Sequence, residues 1–258
     1  TDRLKAHHAL LHAMALDKNY IDVDDDSLAS VAVGYYSKKG PDKYYARSLY
    51  YLGLSYYYAQ DYKKAILEFT KAENVAERCD SLYWGMANDM QSNVYLASHN
   101  SVEALNSLKK AHEIYTKLSL DYYIDVSELG LAKLYYNRND FLKADSLLNQ
   151  LIISDYTDNQ IKIYAKKYKA YIMASQYEPD YNLSTSMYDT LIKEHNTYLT
   201  NKDIWAYAFS LNNVGRKEKS KEIISQFKTV DTSGTADYWM YMIEKSNGNS
   251  SEALKYLE

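Results

Sequence analysis

The chain of 258 residues is 47% hydrophobic and 25% charged, which excludes a disordered segment. Its net charge of −4, with no cluster of Lys and Arg, argues against contact with nucleic acid. With 2 Pro, 8 Gly and the single Cys79, it is short of turn formers for a strand-rich fold and has no partner for a disulfide framework.

At the N-terminus, "KAHHALLHAM" sets His8 and His12 four residues apart on one helix face, a spacing compatible with Zn²⁺. No Glu stands between them and no third ligand is near, so no metal site is expected. "DVDDDS" places Asp22, Asp24 and Asp26 at alternate positions, as in a calcium loop. Ser27 replaces the turn glycine and Val33 the bidentate glutamate, so a helix start capped by Asp26 or Ser27 is the better reading. Helices are expected at about Asp2–Asp17 and Asp26–Lys39, with a long loop between them and Pro41 as a stop. The apolar run near Leu28–Tyr36 is far short of the ~20 residues of a membrane helix.

The next stretch, "YYLGLSYYYAQDYKKAILEFTKA", sets the period. Small residues recur at Ala65, Ala104, Ala144, Ser184, Ser220 and Ala253, at intervals of 39, 40, 40, 36 and 33 residues. Four residues after each stands Phe69, Leu108, Leu148, Tyr188, Ile224 or Leu257, the spacing of one helix face. Between these faces lie turn signals. Asp61, Asn100 or Ser101, and Asn139 or Asp140 offer N-caps, and Pro179, Gly215 and Gly248 mark later breaks. The chain therefore reads as antiparallel helix pairs in series, with Gly53, Ala65 and Ala72 as points of close approach.

Leu49, Leu52, Gly53, Tyr56, Tyr62, Ala65, Phe69 and Ala72 closely resemble the tetratricopeptide repeat (TPR) pattern, whose unit is about 34 residues long. The resemblance implies an all-α fold, an α-α superhelix or TPR-like solenoid of about seven antiparallel hairpins. Residues 1–258 are expected to form one such domain. Within it, 1–41 is an irregular N-terminal hairpin, 42–158 holds the three clearest repeats and 159–258 holds degenerate ones. "ALLHAMALDKNYIDVDDDSLASVAVGYYSKKG" also resembles envelope-anchored TPR proteins of Bacteroidetes-type Gram-negative bacteria. That likeness implies a periplasmic or surface location, often with a lipoprotein signal. Membrane contact would come only through segments outside this chain, and the start at Thr1 without Met fits a missing targeting segment.

No nucleophile elbow, phosphate loop, zinc-protease motif or dinucleotide fingerprint occurs, so no catalytic, cofactor or metal residue is expected. In TPR proteins the first helix of each pair lines the groove. Carried onto this chain, that register gives Arg47, Tyr50, Tyr57, Asp89, Asn93, Lys133, Tyr136, Lys169, Gln176, Trp205 and Asn212 as the partner-binding set. Tyr50, Tyr57, Tyr136 and Trp205 are the expected aromatic anchors, with Arg47, Asp89, Asn93 and Lys133 giving direction. The expected ligand is a protein or peptide, and the expected role a non-enzymatic sensing or scaffold module. The alternatives are a cytoplasmic peptide-responsive regulator and a helper domain of an enzyme lying outside this chain.

Overall fold

The helical period is realised as fourteen helices among the residues described by a computed structural model, 1–195, 199–227 and 235–256. No strand occurs among them. In chain order they are α1 (Asp2–Lys18), α2 (Ser27–Tyr36), α3 (Asp42–Tyr58), α4 (Tyr62–Ala76), α5 (Ser81–Ala97), α6 (Ser101–Lys117) and α7 (Asp121–Asn137). Then follow α8 (Phe141–Ile153), α9 (Asn159–Ser175), α10 (Tyr181–His195), α11 (Asn201–Asn213), α12 (Lys217–Phe227), α13 (Thr235–Ser246) and α14 (Ser250–Leu254). They group into two compact units, Thr1–Arg138 and Asn139–Glu258. Consecutive helices pack in pairs within each unit. In the first unit α1 also touches α3, and α3 touches α5; in the second, α11 touches both α9 and α13. These odd-numbered helices form the inner row of their unit.

Ala65, Ala104, Ala144, Ser184, Ser220 and Ala253 are all buried, as are Phe69, Leu108, Leu148, Tyr188 and Ile224; Leu257 lies outside the described residues. The two serines show how the degenerate repeats keep the close approach. Ser184 Oγ donates to the Ala170 carbonyl at 2.9 Å and Ser220 Oγ to that of Ala208 at 2.7 Å. Each buried hydroxyl is thereby satisfied against the preceding helix. Gly53 is needed sterically, since a β-carbon there would lie 2.7 Å from the Phe69 ring.

The turns share one device. Gln60, His99, Ser119, Gly215 and Gly248 all adopt positive φ, between 53° and 84°. In each turn the next residue's N–H reaches back to the carbonyl five positions earlier, as from Asp61 to Tyr56 and from Asn100 to Tyr95. This left-handed closure satisfies the last helical carbonyls and turns the chain in three residues. Asp61, Asn100 and Asp140 then cap the following helices through side-chain bonds to the N–H of Lys64, Glu103 and Lys143.

The first hairpin departs from its expected form. α2 ends at Tyr36 rather than Lys39, and Pro41 stands at the N-cap of α3, where its fixed φ and missing N–H suit a helix start. The cap of α2 comes from neither Asp26 nor Ser27. Asp25 Oδ1 accepts the Ser27 N–H at 2.8 Å, while Asp26 is drawn away to accept the Tyr56 hydroxyl at 2.9 Å.

Candidate functional site

The register-based set divides sharply once the side chains are placed. In the first unit, Tyr50 is 5% exposed and makes edge contacts with Tyr51 and Tyr83 at ring distances of 5.2 and 5.3 Å. It belongs to the core. Arg47 is consumed by structure: its Nε donates to Asp80 at 2.8 Å, and its guanidinium lies 4.7 Å from the Tyr83 ring centre. Tyr57 is half-buried between Tyr58 and Tyr62. On α7, Lys133 is exposed and Tyr136 half-buried.

The second unit gives up more of the set. Trp205 is 1% exposed, so its ring presents no face to a ligand. Asn212 is buried and spends its amide on Ser246 Oγ at 2.9 Å, tying α11 to α13. Lys169 pairs with Asp145 at 2.9 Å and also donates to Asn149, while the half-buried Gln176 donates to the Glu178 carbonyl at 2.9 Å. Tyr50, Trp205 and Asn212 fail as ligand contacts for one reason. They sit in seams where neighbouring helices meet, rather than on the open side of the row.

Asp89 and Asn93 stand apart. One turn apart on α5, both are half-buried and on the same helix face. Among the described residues, Asn93 donates only to the Met90 thioether, at 3.5 Å, a weak acceptor. Asp89 makes no hydrogen bond or ion pair among the described residues. Burial pushes its carboxyl up from the ordinary 3.8 to about 6, with no cation or donor to oppose the shift.

The first unit also carries buried phenols that the sequence register overlooked. Tyr51 Oη donates to Asp17 Oδ2 at 3.3 Å and shares a hydrogen bond with Tyr83 Oη at 3.0 Å, joining α1, α3 and α5. Burial raises the Asp17 carboxyl, and the Tyr51 bond opposes part of that rise. Burial also raises the phenols of Tyr50 and Tyr115, and the nearby charge of Asp89 raises both further. Tyr115, on α6, packs 5.0 Å from Tyr123 of α7, and its buried hydroxyl has no hydrogen-bond partner among the described residues. Doubled tyrosines in the sequence do not by themselves mark the inward ring: Tyr123 is half-buried beside the exposed Tyr122, whereas Tyr50 and Tyr51 are both buried.

Beside Asp17 and Tyr51, a recess of about 390 Å³, open solvent at its mouth included, is lined by Leu16, Ile21, Val23, Leu28, Leu54 and Tyr58. His8 and His12 meet edge-to-face with ring centres 5.9 Å apart. Among the described residues, no three His, Cys, Asp or Glu side chains come together in a way that could hold a metal ion. No helix among them is long and apolar enough to cross a membrane.

No protein-family model matches the sequence, and no curated protein matches it. Solved structures do match the fold. The apo form of the quorum sensor NprR from B. thuringiensis superposes with a TM-score of 0.69 at 13% identity, covering 97% of this chain and 79% of that one. A tetratricopeptide repeat protein from Parabacteroides merdae superposes with a TM-score of 0.63 at 11% identity, covering 98% of this chain and 91% of that one. At such low identity the likeness establishes the fold, an all-α TPR-like solenoid.

Proposed function

We propose that the chain is a non-enzymatic module that binds a peptide or protein segment along the inner row of its helices. The observation that carries this reading is the pair Asp89 and Asn93. Both are half-buried on α5, and neither is spent on a strong partner within the fold. Side-chain amides and carboxylates held ready in this way suit the N–H and C=O groups of an extended chain. Tyr57 supplies an amphipathic ring on the neighbouring helix α3.

By resemblance of the N-terminal stretch, the module works outside the cytoplasm as the sensing or scaffold part of an envelope-anchored protein. The likeness to a quorum sensor favours a second reading, a regulator that changes state when a signalling ligand binds.

One experiment tests both. The purified chain and an Asn93→Ala, Tyr57→Ala variant, shown by circular dichroism to be folded, serve as baits in separate envelope and cytosolic extracts of the source cell. Capture of a protein or peptide by the parent alone supports the inner-row site, and the fraction that yields it names the compartment. Equal capture by both baits moves the site away from α3 and α5.

A further inference from the structure

Most later hairpins turn in three residues, but residues 19–26 separate α1 from α2. The recess beside Asp17 opens between that long loop, α1, α2 and α3. At about 390 Å³, open mouth included, it is at the small end of the roughly 300–1,000 Å³ of ligand pockets, so it admits one side chain or a small molecule. Its walls are apolar: Leu16 from α1, Ile21 and Val23 from the loop, Leu28 from α2 and Leu54 from α3. Ile21 is 51% exposed and stands at the rim, whereas Tyr51 is 6% exposed and lies at the floor.

The polar groups in the wall are spent, with one exception. Asp25 accepts the Ser27 N–H at 2.8 Å and the Ser27 hydroxyl at 3.0 Å, one bond to each carboxylate oxygen. Ser55 Oγ donates to the Leu52 carbonyl at 3.0 Å, and the Tyr58 hydroxyl bonds to Asp22. Tyr51 joins Asp17 Oδ2 to Tyr83. Among the described residues, Asp17 Oδ1 has no hydrogen-bond partner and no cation forms an ion pair with Asp17; Asp22 and Lys18 act on it only through space, with opposite signs.

A half-buried carboxylate in an apolar recess selects a cation, because an unpaired charge there is costly. An aliphatic stem suits the Leu, Ile and Val walls, and a charged tip meets the remaining oxygen. With Oδ2 already engaged by Tyr51, a guanidinium loses one prong of its fork, so an ammonium is the better match. We propose that this recess binds a primary alkylammonium group, a partner's lysine side chain or a small aliphatic amine, with Asp17 as its counter-ion. The recess shares no residue with Tyr57, Asp89 or Asn93, so the site goes beyond the inner-row reading and is tested apart from it.

The test titrates the isotope-labelled full chain with three probes and follows the amide NMR shifts of Ile21, Val23 and Leu28. The probes are Nα-acetyl-lysine methylamide, Nα-acetyl-norleucine methylamide, which keeps the stem without the charge, and n-pentylamine. The expected result is that an ammonium-bearing probe binds about tenfold or more tighter than the norleucine probe. Tighter binding of the lysine probe than of pentylamine assigns the site to a partner's lysine, and the reverse or equality assigns it to a free amine. Asp17→Asn should abolish the ammonium advantage and leave the norleucine probe unaffected, a pattern that damage to the fold does not produce. Val23→Phe narrows the recess and should weaken all three probes; it decides the location alone if Asp17→Asn does not fold. Equal binding of charged and uncharged probes overturns the ammonium preference, and absence of shifts at the recess overturns the site. Ammonium binding that survives both substitutions also overturns it, since the amine then sits elsewhere on the acidic surface.

Discussion

The ring of Tyr115 fills the space that a β-carbon on Gly85 would need: such a carbon would lie 2.5 Å from the ring's Cε1. Both residues are buried, and Tyr115 also packs against the Tyr123 ring at 5.0 Å, which restrains it from moving aside. Gly85→Ala should therefore destabilise the first unit by about 1–3 kcal/mol through overpacking. Trp84, the adjacent residue, reports on that unit, and a lower urea midpoint in its fluorescence is the expected reading. An unchanged midpoint would mean that α5 and α6 are packed less tightly than described.

Asp89 imposes a pH dependence whose sign follows from its surroundings. The folded carboxyl titrates near 6 and the unfolded one near 3.8, because burial beside the Tyr50 and Tyr115 phenols opposes ionisation. Between about pH 4 and 6 the folded chain keeps a proton that the unfolded chain has lost, so stability falls as pH rises through that window. The loss at neutral pH is on the order of 2–3 kcal/mol. Asp89→Asn should be the more stable form at about pH 7, and the gap should close toward about pH 4 in parallel urea titrations.

The left-handed turn residues make a third expectation. Gln60 and His99 sit at φ of 60° and 58°, where a β-carbon is unfavourable, whereas Gly215 and Gly248 fill equivalent turns without that cost. Gln60→Gly and His99→Gly should each stabilise the first unit by roughly 0.5–1 kcal/mol, with no change in urea dependence, since no surface is newly buried. A destabilised variant would show that the Gln60 or His99 side chain holds its turn through contacts that outweigh backbone strain.

The period of small residues carried the fold, because close helix approach admits only Gly, Ala or Ser at the contact. That constraint is visible in sequence even where Ser184 and Ser220 replace alanine. The N-caps Asp61, Asn100 and Asp140 were legible for a similar reason, since the requirement is local. The site was legible only in part. A register tells which side of a helix faces inward, and it picked out Asp89 and Asn93, which lie half-buried on α5. It does not tell which inward residues fall in a seam between helices, and so it drew in Tyr50, Trp205 and Asn212. Nor does it reveal bonds that cross from one helix to another, such as Tyr51 to Asp17 and Tyr83, or the Asp80 that takes up Arg47.

In the second unit, Asp189 should respond to acid in the opposite direction from Asp89. Burial alone would raise its carboxyl, but bonds from Lys219 at 2.8 Å, from the Tyr207 hydroxyl and from Arg216 at 2.6 Å outweigh burial and hold it at about 2. The folded carboxyl thus titrates below the unfolded value of 3.8. Its contribution is complete above about pH 4 and is lost as the pH falls toward 2. The carboxylate is 34% exposed, so solvent screening limits that contribution to about 1 kcal/mol. Of the three tryptophans, Trp205 and Trp239 lie in this unit, and Trp84→Phe leaves them as its reporters. In that background Asp189→Asn should lower the urea midpoint at about pH 7 and lose its effect progressively as the pH drops below about 4. A midpoint that Asp189→Asn leaves unchanged at neutral pH would mean that Lys219 and Arg216 find equal stabilisation in water. In that case the cluster would be a surface feature without weight in the fold.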